Sequence, residues 1–314
     1  MSTNGTTIAH PNSVNLQPHL AAQKYFFACT LTVLLWDTLV LSPRSYKLGR
    51  AKIPWPAFQL KVLYYFLQFW VVADFLVTGM MFFSASVTQD PDCLRFWPYE
   101  PICTAILLFA ASTVHVIRIS AIYSHDHVRS IMSSLLLMQA IVTSIFCGFY
   151  RAVRLHERQG CIAGPLNNQS WVGIYWLFPT ILYGTSFVLA VSHSFKTRES
   201  CLNIPRRMLR DNLNLYGIIF LVNLVNVFFY FIMEPTGPDD PIKTIVSSMA
   251  GVLTATVTMR IILGACGSLE TDGSRRSTGR GNGYGVTGST SGTAVSGTRA
   301  SHALTSHQRR DIIS

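Results

Sequence analysis

Seven long apolar stretches, each separated from the next by a short polar connector, set the pattern of this chain. They run from Lys24 to Leu41, Val62 to Ser84, Pro101 to Tyr123, Val128 to Tyr150, Trp171 to Phe195, Leu213 to Glu234 and Lys243 to Gly264. Each is close to the roughly 20 residues that a helix rising about 1.5 Å per residue needs to cross a hydrocarbon core of about 30 Å. A backbone in lipid must satisfy its own hydrogen bonds, so segments this long are expected as helices and not strands. The pattern predicts an all-α polytopic membrane protein: a tail over 1–23, a seven-transmembrane-helix bundle over 24–264, and a second tail over 265–314.

Composition agrees, with 49% hydrophobic and only 13% charged residues, and the charges concentrate in the connectors. Met1 to Leu20 hold no basic leader and no continuous apolar run, so the first span is expected to direct insertion itself. Arg44, Lys47, Arg50, Lys52 and Lys61 follow that span, whereas Lys24 alone stands at its leading end. Basic residues are retained on the cytoplasmic side, so the expected orientation is N-terminus outside and C-terminus cytoplasmic. Alternation then puts Lys196, Arg198, Arg206, Arg207 and Arg210 inside, and Asp90, Asp92, Glu100, Asp239 and Asp240 outside. Arg151, Arg154 and Arg158 are a basic exception in the second outer loop. The net charge of +10 is thus mostly inner-face charge, suited to anionic lipid and not to nucleic acid.

From Gly267 onward sixteen Ser or Thr and nine Gly make a composition that cannot bury enough surface to fold, and a disordered cytoplasmic tail is expected. Arg275-Arg276-Ser277-Thr278 makes Ser277 and Thr278 candidate phosphorylation sites, where added charge would weaken contact with the inner leaflet. Asn4-Gly5-Thr6 is the expected glycosylation site, since Asn168-Gln169-Ser170 stands too close to the fifth span. Of seven cysteines, three fall near the outer face: Cys93, Cys103 and Cys161. A bridge from Cys93 to Cys161 would tie two outer loops together; Cys103, inside the predicted helix start, is the competitor.

An ionisable residue within a span costs about 2.5–3.5 kcal/mol at the helix centre, so such residues are the first place to look for function. Asp37, Arg118 and Arg260 each stand near the inner end of an outward-to-inward helix, at one expected depth. An Asp37 to Arg118 or an Asp37 to Arg260 pair would form an ionic latch; the alternative is arginines that snorkel to headgroups and an aspartate satisfied by hydroxyls. Asp74 lies deeper, and His115, Asn223, Asn226 and the Tyr64-Tyr65 pair are its candidate polar partners. An aspartate there suits a ligand counter-ion, a proton relay or a cation site, or a neutral hydrogen-bonded carboxyl. Pro179 and Gly184 in the fifth span are expected to kink or thin that helix.

Other chemistries find little support. Zinc hydrolysis needs three or more converging ligands, while His115 and His193 are isolated and His125 and His127 share a short inner loop. Lys243 stands at the mouth of the last helix, not deep within it as a retinal Schiff base requires, and paired axial histidines for haem are lacking. No convincing internal repeat of the transporter type is present. No catalytic site, metal or cofactor is expected.

Trp36-Asp37-Thr38-Leu39-Val40-Leu41 resembles the aromatic-Asp-x-Leu signature in the first helix of a large group of seven-helix proteins from basidiomycete fungi, defined by a domain of unknown function. Lys61-Val62-Leu63-Tyr64-Tyr65 resembles the start of that family's second helix, Arg118-Ile119-Ser120-Ala121-Ile122-Tyr123 its Arg-x-x-Ala-x-Tyr end to the third, and Arg260-Ile261-Ile262-Leu263 the close of its seventh. The chain has Gln68-Phe69 where the family usually has Arg-Tyr, and lacks the acidic residue usual after the first motif. The resemblance implies architecture and a fungal membrane setting, with no activity to transfer. The spacing of Cys93 and Arg118 also resembles the residues bracketing the third helix of G-protein-coupled receptors, with Cys161 where their disulfide partner stands, although the arginine lacks that motif's acidic neighbour and following tyrosine, and the seventh helix has no Asn-Pro pair.

The function expected is receptor-like sensing of a small or lipidic ligand, with membrane lipid and a cytoplasmic signalling partner at the basic loops and tail, in the plasma membrane or a secretory-pathway membrane. The alternative is a small-solute or ion carrier or channel that uses Asp74, with a membrane enzyme a distant third.

Overall fold

The computed structural model describes residues 13–50, 57–83, 97–123, 125–154, 161–166, 169–199, 206–234, 241–244 and 246–278. Seven helices carry the apolar stretches: α1 (Ser13–Arg50), α2 (Ala57–Phe83), α3 (Tyr99–Ile122), α4 (Asp126–Cys147), α5 (Ile174–Glu199), α6 (Arg206–Ile232) and α7 (Ser247–Thr278). All seven are long and apolar enough to cross a membrane, and the chain is a multi-pass integral membrane protein. Its outer faces carry large apolar side chains such as Leu39, 70% exposed, and Phe69, 74% exposed. Water would penalise so much contiguous apolar surface, whereas lipid tails accept it.

Side-chain contacts set the register of the bundle. α1 and α2 run antiparallel: Phe27 stacks on Phe75 at a centroid distance of 5.4 Å, while near their other ends the hydroxyls of Ser45 and Tyr64 share a short hydrogen bond. α3 and α5 run parallel, joined by Tyr175 OH to the Pro101 carbonyl at 2.9 Å and by Tyr123 OH to the Leu189 carbonyl at 2.8 Å. α3 and α7 are the central helices, with 56% and 67% of their most apolar stretches buried against 17% for α4. α7 fits there because Ala250, Gly251, Ala255 and the buried hydroxyls of Thr254, Thr256 and Thr258 let neighbouring backbones approach closely. Many spanning hydroxyls, such as Thr30 to the Phe26 carbonyl and Thr180 to the Trp176 carbonyl, bond one turn back within their own helix, which satisfies them without a partner from lipid.

Several expectations need revision. α1 does not stop at Leu41 but runs through Pro43 to Arg50; Tyr65 OH donates to the Ser45 carbonyl and Lys61 Nζ to the Gly49 carbonyl, so α2 holds the extension in place. Between α4 and α5 the chain adds a feature the hydropathy pattern did not predict: an antiparallel hairpin of β1 (Tyr150–Arg154) and β2 (Cys161–Pro165), with Ala152 opposite Ala163. α7 continues past Gly264 to Thr278, with Ser277 and Thr278 in its last turn. The bundle is a compact unit through Glu270, and Thr271–Ser314 is a second unit.

Pro179 lies inside an uninterrupted α5. Gly184 does not open a gap there, because the Phe220 ring of α6 fills the space, and a Cβ at residue 184 would meet Phe220 Cε2 at 2.9 Å. Gly184→Ala is therefore expected to lower the midpoint of thermal unfolding in detergent, by the equivalent of about 1–3 kcal/mol for overpacking. Gly184→Ala with Phe220→Leu should recover most of the loss; an unchanged midpoint for the single variant would show that the two helices separate freely.

Candidate functional site

At the end of the bundle that carries the hairpin, α1, α2, α3, α5 and α7 line a partly open cavity of about 50 Å³, with Tyr150 and Ala163 of the hairpin also bounding it. Two carboxylates reach it, Asp74 from α2 and Glu100 from the first turn of α3. Glu100 Oε2 accepts a hydrogen bond from the Ala163 backbone at 3.1 Å, so it fastens the hairpin to α3, and a carboxylate suits the positive end of a helix. Asp74 is 6% exposed. Thr78, one turn further along α2, bounds the same cavity, and among the described residues the Oδ1 of Asp74 has no hydrogen-bond partner. Trp176 of α5, also on the cavity wall, buries an indole N–H with no acceptor among the described residues. Burial pushes the Tyr150 hydroxyl well above its ordinary range, which keeps it a neutral group on the cavity wall.

The opposite end holds the predicted basic residues. Arg260 of α7 pairs with Asp37 of α1, its Nε donating to Oδ1 at 3.1 Å and its Nη2 to the same oxygen. Asp37 is buried while Arg260 remains 48% exposed, so the guanidinium bridges the interior and the bundle surface. Arg118 does not join the carboxylate. Its Nη1 donates to the carbonyl of Ile261 at 3.1 Å, the residue after Arg260, which ties α3 to α7 at the same level. Of the two pairings open in the sequence, the structure contains the one between Asp37 and Arg260.

The proposed partners of Asp74 are not gathered around it. His115 lies about 22 Å along α3 from Glu100, packed between the rings of Tyr183 and Tyr216 at 5.1 and 5.0 Å. Tyr64 and Tyr65 bind α1 at Ser45, as described above. Asn223 Nδ2 donates to Thr254 Oγ1 at 2.8 Å and to the Ile219 carbonyl, a link between α6 and α7. Asn226 comes nearest, since its Oδ1 accepts from the Ser247 hydroxyl at 3.2 Å and Ser247 bounds the cavity. Glu100 is the residue that sequence reasoning misses: the hydropathy pattern starts the third span at Pro101 and leaves Glu100 among the loop charges. The signal was present, since proline is common in the first turn of a helix and an acidic side chain is stabilised there.

Lys243 donates to Ser170 Oγ at 2.8 Å, and burial pushes its ammonium down from the ordinary lysine range. Cys29, Cys103, Cys147 and Cys266 are free thiols. Cys103 is therefore not the bridging partner; it is buried in α3, where its carbonyl accepts from Trp70 Nε1 of α2 at 3.1 Å. Cys93 and Asn4 lie outside the described residues. Comparison with known protein families and with curated proteins found no match to this chain.

The ionic pair makes a quantitative expectation. Asp37→Asn and Arg260→Gln should each lower thermal stability, and the double variant should lose less than the sum, with a coupling of about 0.5–3 kcal/mol. Strict additivity in the thermal midpoints would leave Arg260 as a snorkelling side chain with no use for Asp37.

Proposed function

We propose that this protein is a receptor-like membrane protein in which a small ligand, bound in the Asp74–Glu100 cavity, is coupled through α7 to the Asp37–Arg260 pair at the other end. The observation that carries the reading is that one helix serves both places. α7 borders the cavity at Ser247, Ser248 and Gly251 and, about 14 Å beyond Gly251, supplies Arg260 to the ionic pair. An occupant that binds one arrangement of α7 better than another shifts the population of states by that difference in affinity.

In this reading the N-terminus and the cavity face outward, Asn4 is glycosylated, and Cys93 is bridged to Cys161. The basic connectors and tail face the cytoplasm, where they meet anionic lipid and a signalling partner. The protein resides in the plasma membrane or a secretory-pathway membrane and has no catalytic role. It is a fungal relative of the basidiomycete seven-helix proteins, on the strength of the motifs at Trp36–Leu41 and Arg118–Tyr123. A carrier that moves its solute past Asp74 is the second reading, favoured by that residue's unpartnered oxygen. Many carriers bind their substrates between interrupted helices, whereas α5 runs unbroken through Pro179.

Cys266 supplies a reporter of the coupling, because its thiol is buried in α7 beyond Arg260. Asp37→Asn should raise its rate of alkylation, read by peptide mapping, as the pair releases α7. Ser248→Val, which adds apolar bulk at the cavity, should change the same rate from the far end. A Cys266 rate indifferent to Ser248→Val would sink the coupling, and solute uptake into reconstituted vesicles that Asp74→Asn abolishes would establish the carrier instead.

Orientation has its own measurement. A tag at the N-terminus should be accessible on intact cells and one at Ser314 only after permeabilisation, Asn4→Gln should increase gel mobility, and non-reducing peptide mapping should recover Cys93 linked to Cys161. Both tags on one side, or both cysteines alkylated without reductant, would contradict the arrangement.

A further inference from the structure

Asp74 poses a problem of charge. Its carboxylate is buried in a span, where an isolated charge is costly unless it is paired or neutralised. Glu100 bounds the same cavity and adds a second carboxyl group, and among the described residues neither forms an ion pair. Asp74 Oδ1 has no hydrogen-bond partner among the described residues. On the same cavity wall, the N–H of Trp176, a residue only 2% exposed, has no acceptor among them. Two residues that line the cavity thus carry buried polar atoms without partners among the described residues, a carboxyl oxygen and an indole N–H.

Size and donor chemistry narrow what would satisfy both. A volume of about 50 Å³ accommodates an ion with one or two waters, since one water needs roughly 10–15 Å³ of such space. It is far below the roughly 300–1,000 Å³ of pockets that enclose drug-sized molecules. Beside the carboxylates, the available donors are hydroxyl oxygens from Thr78, Thr104, Ser247 and Ser248. Among the described residues no histidine or cysteine lines the cavity, so the nitrogen and sulfur ligands preferred by zinc and other transition metals are not offered there. Carboxylates and neutral oxygens suit hard cations, which commonly retain water. A retained water would accept the Trp176 N–H while the ion faces Asp74.

We propose that the cavity binds a small hard cation, with Asp74 as its principal ligand, Glu100 as the second carboxylate, and a cation-bound water accepting from Trp176 Nε1. The proposal rests on the reading of this cavity as the ligand site and narrows the occupant to an inorganic cation, in place of an organic or lipidic molecule. Because Glu100 also holds the Ala163 backbone, the occupant would bear on the hairpin as well as on α7. The site does not require that binding be transmitted to Arg260.

The test uses the purified full chain in detergent, with N-methylglucamine chloride as the reference salt. Sodium, potassium, magnesium and calcium chlorides are titrated separately at constant ionic strength while the thermal midpoint is followed. At least one cation should raise the midpoint saturably, as ligand binding to the folded state requires. Asp74→Asn should weaken that cation by about 30-fold or more, the lower end for removing one member of a buried charged pair. Glu100→Gln keeps an oxygen for the Ala163 N–H and should weaken it less, so this variant tests the site even if Asp74→Asn fails to fold. No saturable shift with any of the four ions, or a shift unchanged in both variants, would overturn the proposal. A midpoint that rises only on acidification would overturn it in favour of protonated carboxyls. Cation binding with an unchanged Cys266 alkylation rate would leave the site standing and remove the receptor coupling, whereas a Cys266 response to Ser248→Val without cation binding would do the reverse.

Discussion

Arg260 and Asp37 decide where the first and last helices of the bundle meet. A carboxylate buried within a span is costly without a counter-charge, and the only element that reaches Asp37 with a cation among the described residues is α7. Once that contact is made, α7 is fixed in height against α1, and the Ile261 carbonyl comes within reach of Arg118 on α3. Three helices thereby share one level. The adjoining α1 extension, held by Tyr64, Tyr65 and Lys61 of α2, adds a fourth helix to the same end of the molecule.

The other end is organised by a different balance. There the carboxylates of Asp74 and Glu100 are not matched by arginine or lysine among the described residues, and the polar surroundings are hydroxyls, an indole N–H and backbone groups. Glu100 is employed twice, once as a stabilising charge at the start of α3 and once as the acceptor that seats the hairpin. One end thus holds an ion pair through Oδ1 of Asp37, while the other holds two carboxyl groups with no arginine or lysine paired to them among the described residues. α7 connects the two with a backbone lined by small residues, which lets its neighbours approach closely.

Hydropathy alone determined the class of the protein. Length, apolar content and the scarcity of charge are each local properties, and the cost of unsatisfied backbone in lipid converts them directly into seven helices. The shared depth of Asp37, Arg118 and Arg260 was equally legible, since it follows from rise per residue and alternating direction. The partner of Asp37 was not: depth is common to both arginines, and only the lateral arrangement of α1, α3 and α7 separates them. The same limit explains Asp74. Residues of suitable chemistry occur on several helices, but which of them face the same space depends on helix rotation, and the structure turns His115 toward Tyr183 and Tyr216 and Asn223 toward Thr254.

Two features lay beyond a reading by apolar runs. The hairpin from Tyr150 to Pro165 is short, and its strands are specified by pairing with each other and by the acceptor that Glu100 offers, a contact between positions 63 residues apart. The cavity is likewise a property of no single segment, because its walls come from helices distant in sequence. The sequence by itself determined what each segment is and how deep each polar residue lies, because those follow from transfer into lipid. Tertiary structure decided which polar residues meet, because that depends on the rotation and lateral neighbours of helices whose hydropathy is nearly the same on every side.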